Sequence, residues 1–376
     1  MLALCGYNSL FALDPIKVGM SLDLEGPSKA LGKELLVGST AYIKHINSKG
    51  GVYGRQVQLV VKNDGSEPNQ ALKNSIHFIE KDQVSILYGY MGAATVTKVI
   101  PLLKANESKH IPLLFPYSGS QSIREFPYVP FVYNYRASTK EEINTIVARL
   151  TTLKRKKIAI FFQSDAYGRN AWDALRKALK KQGLSIHSEA SYNSHDQDSF
   201  SEHANIIYNS NADAVLTIGS AKAVAYFIKE LKALGSKATV AMISSVGSNI
   251  VLDHLKQFEF SDGRNYSEGV LGTEVVPEYA TNALFVAKQY NILMKRYFPD
   301  HKKSRASFES FISAKFLVTL LNQSKKEGPA LMATLSTDQP YDIGLSQPLS
   351  FAKPSNQAST FVQLQHIHKN KWRAYQ

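Results

Sequence analysis

Ile46-Asn47-Ser48-Lys49-Gly50-Gly51-Val52-Tyr53-Gly54-Arg55 is the stretch from which the fold can be read. Upstream of it, Leu35, Leu36, Ala41, Ile43 and Ile46 recur at helical spacing over residues 31–48. Gly50-Gly51 ends that helix, because glycine enters the left-handed turn at a helix C-terminus without steric cost. Gly54 permits a tight turn into residues 56–62, which alternate apolar and polar as a strand does. Before the helix, Ile16–Leu22 is an apolar run closed by the turn pair Gly26-Pro27. The order strand, helix, glycine turn, strand is a βαβ unit.

The unit repeats outward from there. Helical patterns at 68–81 and 94–105 alternate with apolar runs at 84–88 and 111–115. The alternation restarts with helices at 141–153, 167–182, 199–209 and 221–234, between strands at 157–162, 184–190, 214–218 and 239–244. After a run at 270–276 come long helices at 282–297 and 307–324 and a strand-rich tail at 350–372. Repeated units of this size predict parallel sheets covered by helices on both faces. A chain of 376 residues exceeds one ordinary core, so two α/β lobes are expected.

Composition narrows the function classes. Hydrophobic residues make up 44% and charged residues 20%, a globular balance, and no run of 18 apolar residues occurs. The formal charge is +13, but the lysines are dispersed in short groups at 154–157, 180–181, 302–303 and 369–373, without a nucleic-acid-binding motif. The single cysteine, Cys5, excludes an internal disulfide, and the scattered histidines offer no metal-ligand spacing. There is no GxSxG elbow and no phosphate-binding loop, and Gly263, Gly269 and Gly272 are too spread for a dinucleotide fingerprint. No enzyme, cofactor, metal or nucleic-acid partner is expected. The apolar segment 1–12 reads as the tail of a secretory signal, with Ala12 before the cut. Lipid modification of Cys5 is the alternative, although Leu4 is not the small residue that such a site uses.

The quoted stretch, read as INxxGGVxGR, resembles the signature of the type I solute-binding proteins of ABC transporters, the leucine/isoleucine/valine-binding group. Gly32, Gly38, Asn63-Asp64-Gly65 and Pro68-Asn69-Gln70-Ala71 fit the same pattern. So, in order, do Phe115-Pro116-Tyr117-Ser118-Gly119-Ser120, Tyr135-Arg136-Ala137-Ser138, Asp165-Ala166-Tyr167-Gly168, Ser244-Ser245-Val246-Gly247-Ser248 and Ser307-Phe308-Glu309-Ser310-Phe311. The resemblance implies two doubly wound α/β lobes joined by a three-stranded hinge, with a ligand held between them. The chain would cross near 135–138, 273–277 and 344–349. The first lobe would then hold 16–136 and 277–345, and the second 137–276 and 346–376, after a tail at 1–15.

The resemblance also implies a ligand site at Tyr90, Ala93, Ala94, Tyr117, Ser118, Gly119, Ser138, Tyr167, Ser220 and Ser245. The loop 90–95 follows a strand and opens a helix, whose N-terminal amides attract a carboxylate. Amino-acid-binding relatives add a serine hydroxyl there, where this chain has Ala93. Ser118 offers a hydroxyl, and the Tyr167 ring would cover the ligand from the second lobe. Near Ser245 the relatives place an acidic side chain for the ligand ammonium. Its absence implies a small polar or aromatic compound other than an amino acid, since a buried ammonium needs a charged partner. Asp165 and Glu274 are the candidate substitutes. The implied protein is periplasmic and monomeric, and its partner is an ABC-importer permease or, alternatively, a sensor protein. A third alternative is an interaction protein that has lost its ligand.

Overall fold

The computed structural model describes residues 13–196, 198–351 and 354–375. The expected signal remnant and Cys5 lie outside the described residues. The first lobe is built from β1 (Ile16–Leu22), α1 (Lys29–Asn47), β2 (Val57–Asn63), α2 (Pro68–Glu80), β3 (Ile86–Tyr88), α3 (Ala93–Ala105), β4 (Leu113–Leu114) and β5 (Val132–Tyr133). Its strands pair in parallel in the order β2-β1-β3-β4-β5. The second lobe follows with α4 (Thr139–Thr152), β6 (Ile158–Gln163), α5 (Ala166–Lys181), β7 (Glu189–Tyr192), α6 (Ser201–Asn209), β8 (Ala214–Ile218), α7 (Ala221–Ala233), β9 (Thr239–Met242), α8 (Ser248–Asp262) and β10 (Leu271–Glu274). The chain returns to the first lobe for α9 (Phe285–Tyr297), α10 (Arg305–Ser324) and α11 (Pro329–Leu335). It ends in the second lobe with β11 (Gln363–His368) and β12 (Lys371–Ala374). Of these, β11 adds antiparallel to β10 and β12 antiparallel to β11, giving the order β12-β11-β10-β9-β8-β6-β7.

The quoted glycine stretch does what its chemistry predicts. Gly50 and Gly51 take φ of +98° and +79°, and the Gly51 N–H returns to the Ile46 carbonyl at 3.0 Å. Val52 and Arg55 then exchange two backbone hydrogen bonds around Tyr53 and Gly54, both at positive φ, which is a two-residue hairpin turn. The Asn47 side chain fastens this exit to the next strand, donating to the Val57 carbonyl and accepting its N–H, each at 2.9 Å.

The first sheet is covered on both faces. One core joins β1 to α1, α9 and α10, and a second lies under α2 and α3 around Phe78, Val96, Val99 and Leu103. Gly38 lets α1 meet α10 at close range, since a Cβ there would collide with the Ser307 carbonyl. Ser310 seals this contact by donating to the Leu35 carbonyl at 2.6 Å.

Three expectations need correction. The last passage between lobes is not at 344–349. Leu349 and Phe351 are buried in the first core, and Phe351 stacks on Phe316 at 5.4 Å. Burying a side chain of this kind stabilises by roughly 1.5–3 kcal/mol, which holds residues 346–351 in the first lobe. The chain leaves only after Gln357, which bridges Asn134 in parallel beside the first passage. The strand expected at 184–190 begins at Glu189, because Leu184 and Ile186 pack on the second core without joining the ladder. Helices α8 and α11 were not anticipated at all.

The Gly38 contact makes a prediction about stability. Gly38→Ala forces two helix backbones apart and should lower the unfolding free energy by about 1–3 kcal/mol. Gly50→Ala meets no neighbour and carries only the left-handed penalty of about 1–2 kcal/mol. Urea denaturation followed by far-UV circular dichroism measures both, and a smaller loss at Gly38 than at Gly50 would refute the tight helix contact.

Candidate functional site

A cavity of about 270 Å³ lies between the lobes. Its walls come from segments that follow the C-terminal ends of β1, β3, β4, β6, β8 and β9. Parallel strands all point the same way, so their outgoing loops gather along one edge, and here the two sheets turn those edges toward each other.

The first lobe supplies the start of α1 (27–31), Ser66, the start of α3 (91–95) and the loop 117–119. The N-terminus of α1 is already matched by Asp23, whose carboxylate accepts from the Ser28 N–H at 2.8 Å and the Ser66 hydroxyl at 2.7 Å. The N-terminus of α3 differs. Gly92 precedes it with φ of +94° and no side chain caps it. The N–H groups of Ala93, Ala94 and Thr95 therefore have no intrahelical partner, and they meet the cavity wall. The Ser118 hydroxyl stands nearby, buried, accepting from the Ser120 N–H at 3.4 Å and keeping its own proton to donate.

The second lobe supplies Gln163, Asp165 and Tyr167, the start of α7 (219–222), and Ser245, Val246, Ile250 and His254. Two of its helix starts, those of α5 and α7, are capped by side chains. Asp165 accepts from the Gly168 N–H at 3.0 Å, and Ser220 accepts from the Ala223 N–H at 3.2 Å. Tyr167 bonds Ser245 hydroxyl to hydroxyl at 2.9 Å, which fixes the ring against the cavity. Burial pushes the Tyr167 phenol well above its ordinary range, so it stays neutral. His254 has its pKa lowered by burial and then by Lys222, which keeps the imidazole neutral near pH 7.

Eight of the ten residues expected from the sequence line this cavity: Ala93, Ala94, Tyr117, Ser118, Gly119, Tyr167, Ser220 and Ser245. Two do not. Tyr90 is fully buried and shares a 2.8 Å hydrogen bond with Ser75, away from the cavity. Ser138 caps α4, accepting from Glu141 N–H while Glu141 answers with its carboxylate, so its hydroxyl is used inside the lobe. Neither candidate acid stands free in the cavity. Asp165 lines the cavity, but its second oxygen accepts from Gln163 at 2.8 Å. Glu274 lies outside the cavity, bonded to Ser248 and Gln365.

The sequence reading missed the start of α1, Gln163, Lys222, Ile250 and His254. The first followed from the rule that placed the 90–95 loop, since it also succeeds a parallel strand. His254 and Ile250 sit on α8, which the sequence reading passed over. Among the described residues no group of three or more His, Cys, Asp or Glu side chains is placed to hold a metal ion.

The comparisons with known proteins agree with the fold. An amino acid binding protein of Pseudomonas aeruginosa is 25% identical over 179 residues, so the match spans 47% of this chain and about half, 46%, of that protein. The Leu/Ile/Val-binding protein homolog 7 of Brucella abortus is 21% identical over 320 residues, 82% of this chain and 77% of its own. In three dimensions the chain is similar to a substrate-binding periplasmic protein from Ralstonia solanacearum, with a TM-score of 0.87 at 23% identity, over 96% of this chain and 100% of that one. The family model for periplasmic binding proteins matches residues 15–371, through both lobes and all three passages, and this chain therefore belongs to that family, in its type I, Leu/Ile/Val-binding-protein-like branch.

Proposed function

We propose that the protein captures a small organic carboxylate with an uncharged, largely apolar body and presents it to the membrane permease of an ABC-type importer outside the cytoplasm. The observation that carries this reading is an asymmetry of charge across the cleft. One wall offers the uncapped N-terminus of α3 together with the Ser118 hydroxyl, a pair of features that favours an anion. The opposite wall holds one carboxylate, Asp165, each of whose oxygens already accepts a hydrogen bond, from Gly168 and from Gln163. The ammonium of an amino acid would have only that shared carboxylate to pair with, and a buried, poorly paired ammonium costs several kcal/mol. Between the poles lie Leu31, Met91, Tyr117, Tyr167, Val246 and Ile250, which suit a hydrocarbon or aromatic body. Membership of a family of binding proteins supports capture without chemistry. No helix among the described residues is long and apolar enough to cross a membrane, so delivery needs a separate permease.

Thermal-shift screening against matched sets of monocarboxylates, their amides and the branched-chain amino acids tests this directly. Carboxylates with apolar or aromatic bodies are expected to raise the melting temperature and their amides are not; a preference for leucine or valine would refute the reading.

A second expectation separates the cavity from the lobe interior. For the best carboxylate found, Ser118→Ala should weaken binding about tenfold or more by calorimetry, since a hydrogen bond to a charged group contributes roughly 1.5–3 kcal/mol. Ser138→Ala should leave the affinity unchanged and lower stability by about 1 kcal/mol, the usual loss for an N-cap. The reverse pattern would move the ligand to the hinge.

A further inference from the structure

Below the cavity floor, where the chain first crosses between lobes, one arginine is enclosed by carboxylates. Arg136 is 1% exposed. Its guanidinium lies 3.5 Å from Glu142 of α4 in the second lobe and 3.6 Å from Glu309 of α10 in the first. It donates to the Ser244 hydroxyl, and it stacks on the Tyr117 ring with Cζ 4.3 Å from the centroid. Tyr117 lines the cavity from the first lobe, and Ser244 adjoins Ser245, which lines it from the second. Glu142 ties the same loop down, accepting from the Ser244 N–H at 2.8 Å and the Thr273 hydroxyl at 2.7 Å.

Both ion pairs are long, and Nε and Nη1 of Arg136 and Oε1 of Glu142 are buried without a hydrogen bond. An unsatisfied charged network of this kind is a poor device for stability, because dry burial costs more than loose pairing returns. It suits an element that must hold two positions. The two carboxylates belong to different lobes, so a rotation about the passages changes their separation and admits water between them.

We infer that Arg136 is the positioning residue for lobe closure: shared between Glu309 and Glu142 and stacked on Tyr117, it sets the closed cleft, and closing takes up a proton because it buries several carboxylates around one guanidinium. The inference rests on the reading that the lobes close on a ligand, and it does not depend on which ligand.

The charged groups facing the cluster come from every packed element. Arg124 donates to the Arg136 carbonyl at 3.0 Å and to the Gln357 side chain at 2.6 Å. Glu141 accepts from Gln357 at 2.9 Å. Glu142 and Arg305 act on Glu274, at the end of β10, and Glu142 and Glu274 both act on Glu309. Arg305 is itself paired with Glu278 at 2.6 Å. Tyr117, Tyr135 and Tyr167 also face the cluster and remain neutral, each phenol raised by burial. Burial pushes Glu309 up to about 7 against the pull of Arg136, and pushes Glu274 up to about 7 against the pull of Arg305. Arg136 stays charged, since the carboxylates of Glu309 and Glu142 outweigh the effect of its burial.

The sign follows from linkage. In an open, wetted cleft the Glu309 carboxyl returns toward its ordinary value of 4.5, so the closed form binds more protons between about 4.5 and 7. The preference for closure is fully present below 4.5 and is lost as pH rises through about 7.

Small-angle X-ray scattering of the ligand-free full chain, at constant ionic strength from about pH 5 to about pH 8.5, reads this linkage without any ligand. The radius of gyration is expected to rise with pH. Glu309→Gln, which keeps shape and removes the charge, should flatten that rise. Arg136→Lys keeps the charge but loses the planar fork that reaches both carboxylates, and it should show the larger radius already at the acid end. A radius independent of pH in the parent, an undiminished rise in Glu309→Gln, or an Arg136→Lys profile matching the parent would each overturn the proposal. A failed carboxylate screen would not touch these results, so the two readings fail separately.

Discussion

The structure depends on strand direction. Every strand of the first sheet, and the five from β6 to β10 in the second, are joined by parallel pairing, so their outgoing ends collect at one edge of each lobe. Turning those edges toward each other fills the gap with strand-to-helix turns, and each turn brings backbone N–H groups that want an acceptor. What distinguishes one such cleft from another is how those groups are satisfied before any ligand arrives. Here Asp165 and Ser220 cap two helix starts from within the chain, and Asp23 sets its carboxylate just before a third, accepting from the Ser28 N–H. The starts of α3 and α8 carry no side-chain cap, and α3 opens beside the Ser118 hydroxyl.

The same bookkeeping explains why the cleft departs from an amino-acid grip. Ala93 supplies an amide without a hydroxyl, and Ser245 turns its hydroxyl to Tyr167. Asp165 looks like a partner for an ammonium when only its identity is known. Its geometry shows both oxygens already held, one by the helix it caps and one by Gln163. Acidic character is present in quantity nearby, in Glu142, Glu274 and Glu309, but it sits under the floor and not in the wall. There it surrounds Arg136 and serves the joint between the lobes.

Placing charge at the joint has a physical consequence that apolar packing would not have. Apolar contacts between the lobes would hold the cleft at one position with little dependence on solution conditions. An arginine shared by carboxylates from both lobes holds it through long-range, hydration-sensitive forces. The Tyr117 ring lies between that arginine and the cavity, so the face that meets a ligand and the face that meets the hinge charge belong to one side chain.

How much of this was legible in the sequence follows from the range of each interaction. The glycine stretch 46–55, the βαβ order and the helix caps at Asp165 and Ser220 are local, settled within a few residues, and the turn at Gly50-Gly51 was readable from residue type alone. The loops at 93–94, 117–119, 167, 220 and 245 were also reachable, because a parallel strand dictates where its next turn lies. Non-local contacts were not. Phe351 stays in the first lobe because Phe316, far upstream, stacks on it, which moved the last passage beyond Gln357. Ser138 and Tyr90 were correctly placed beside strand ends, yet Glu141 and Ser75 occupy their hydroxyls. Sequence by itself determined the alternation, the turns and the edge at which a ligand site must form, since these depend on backbone conformation and strand direction. Only the tertiary structure decided which polar groups at that edge remain free, because that depends on which distant side chain reaches each of them first.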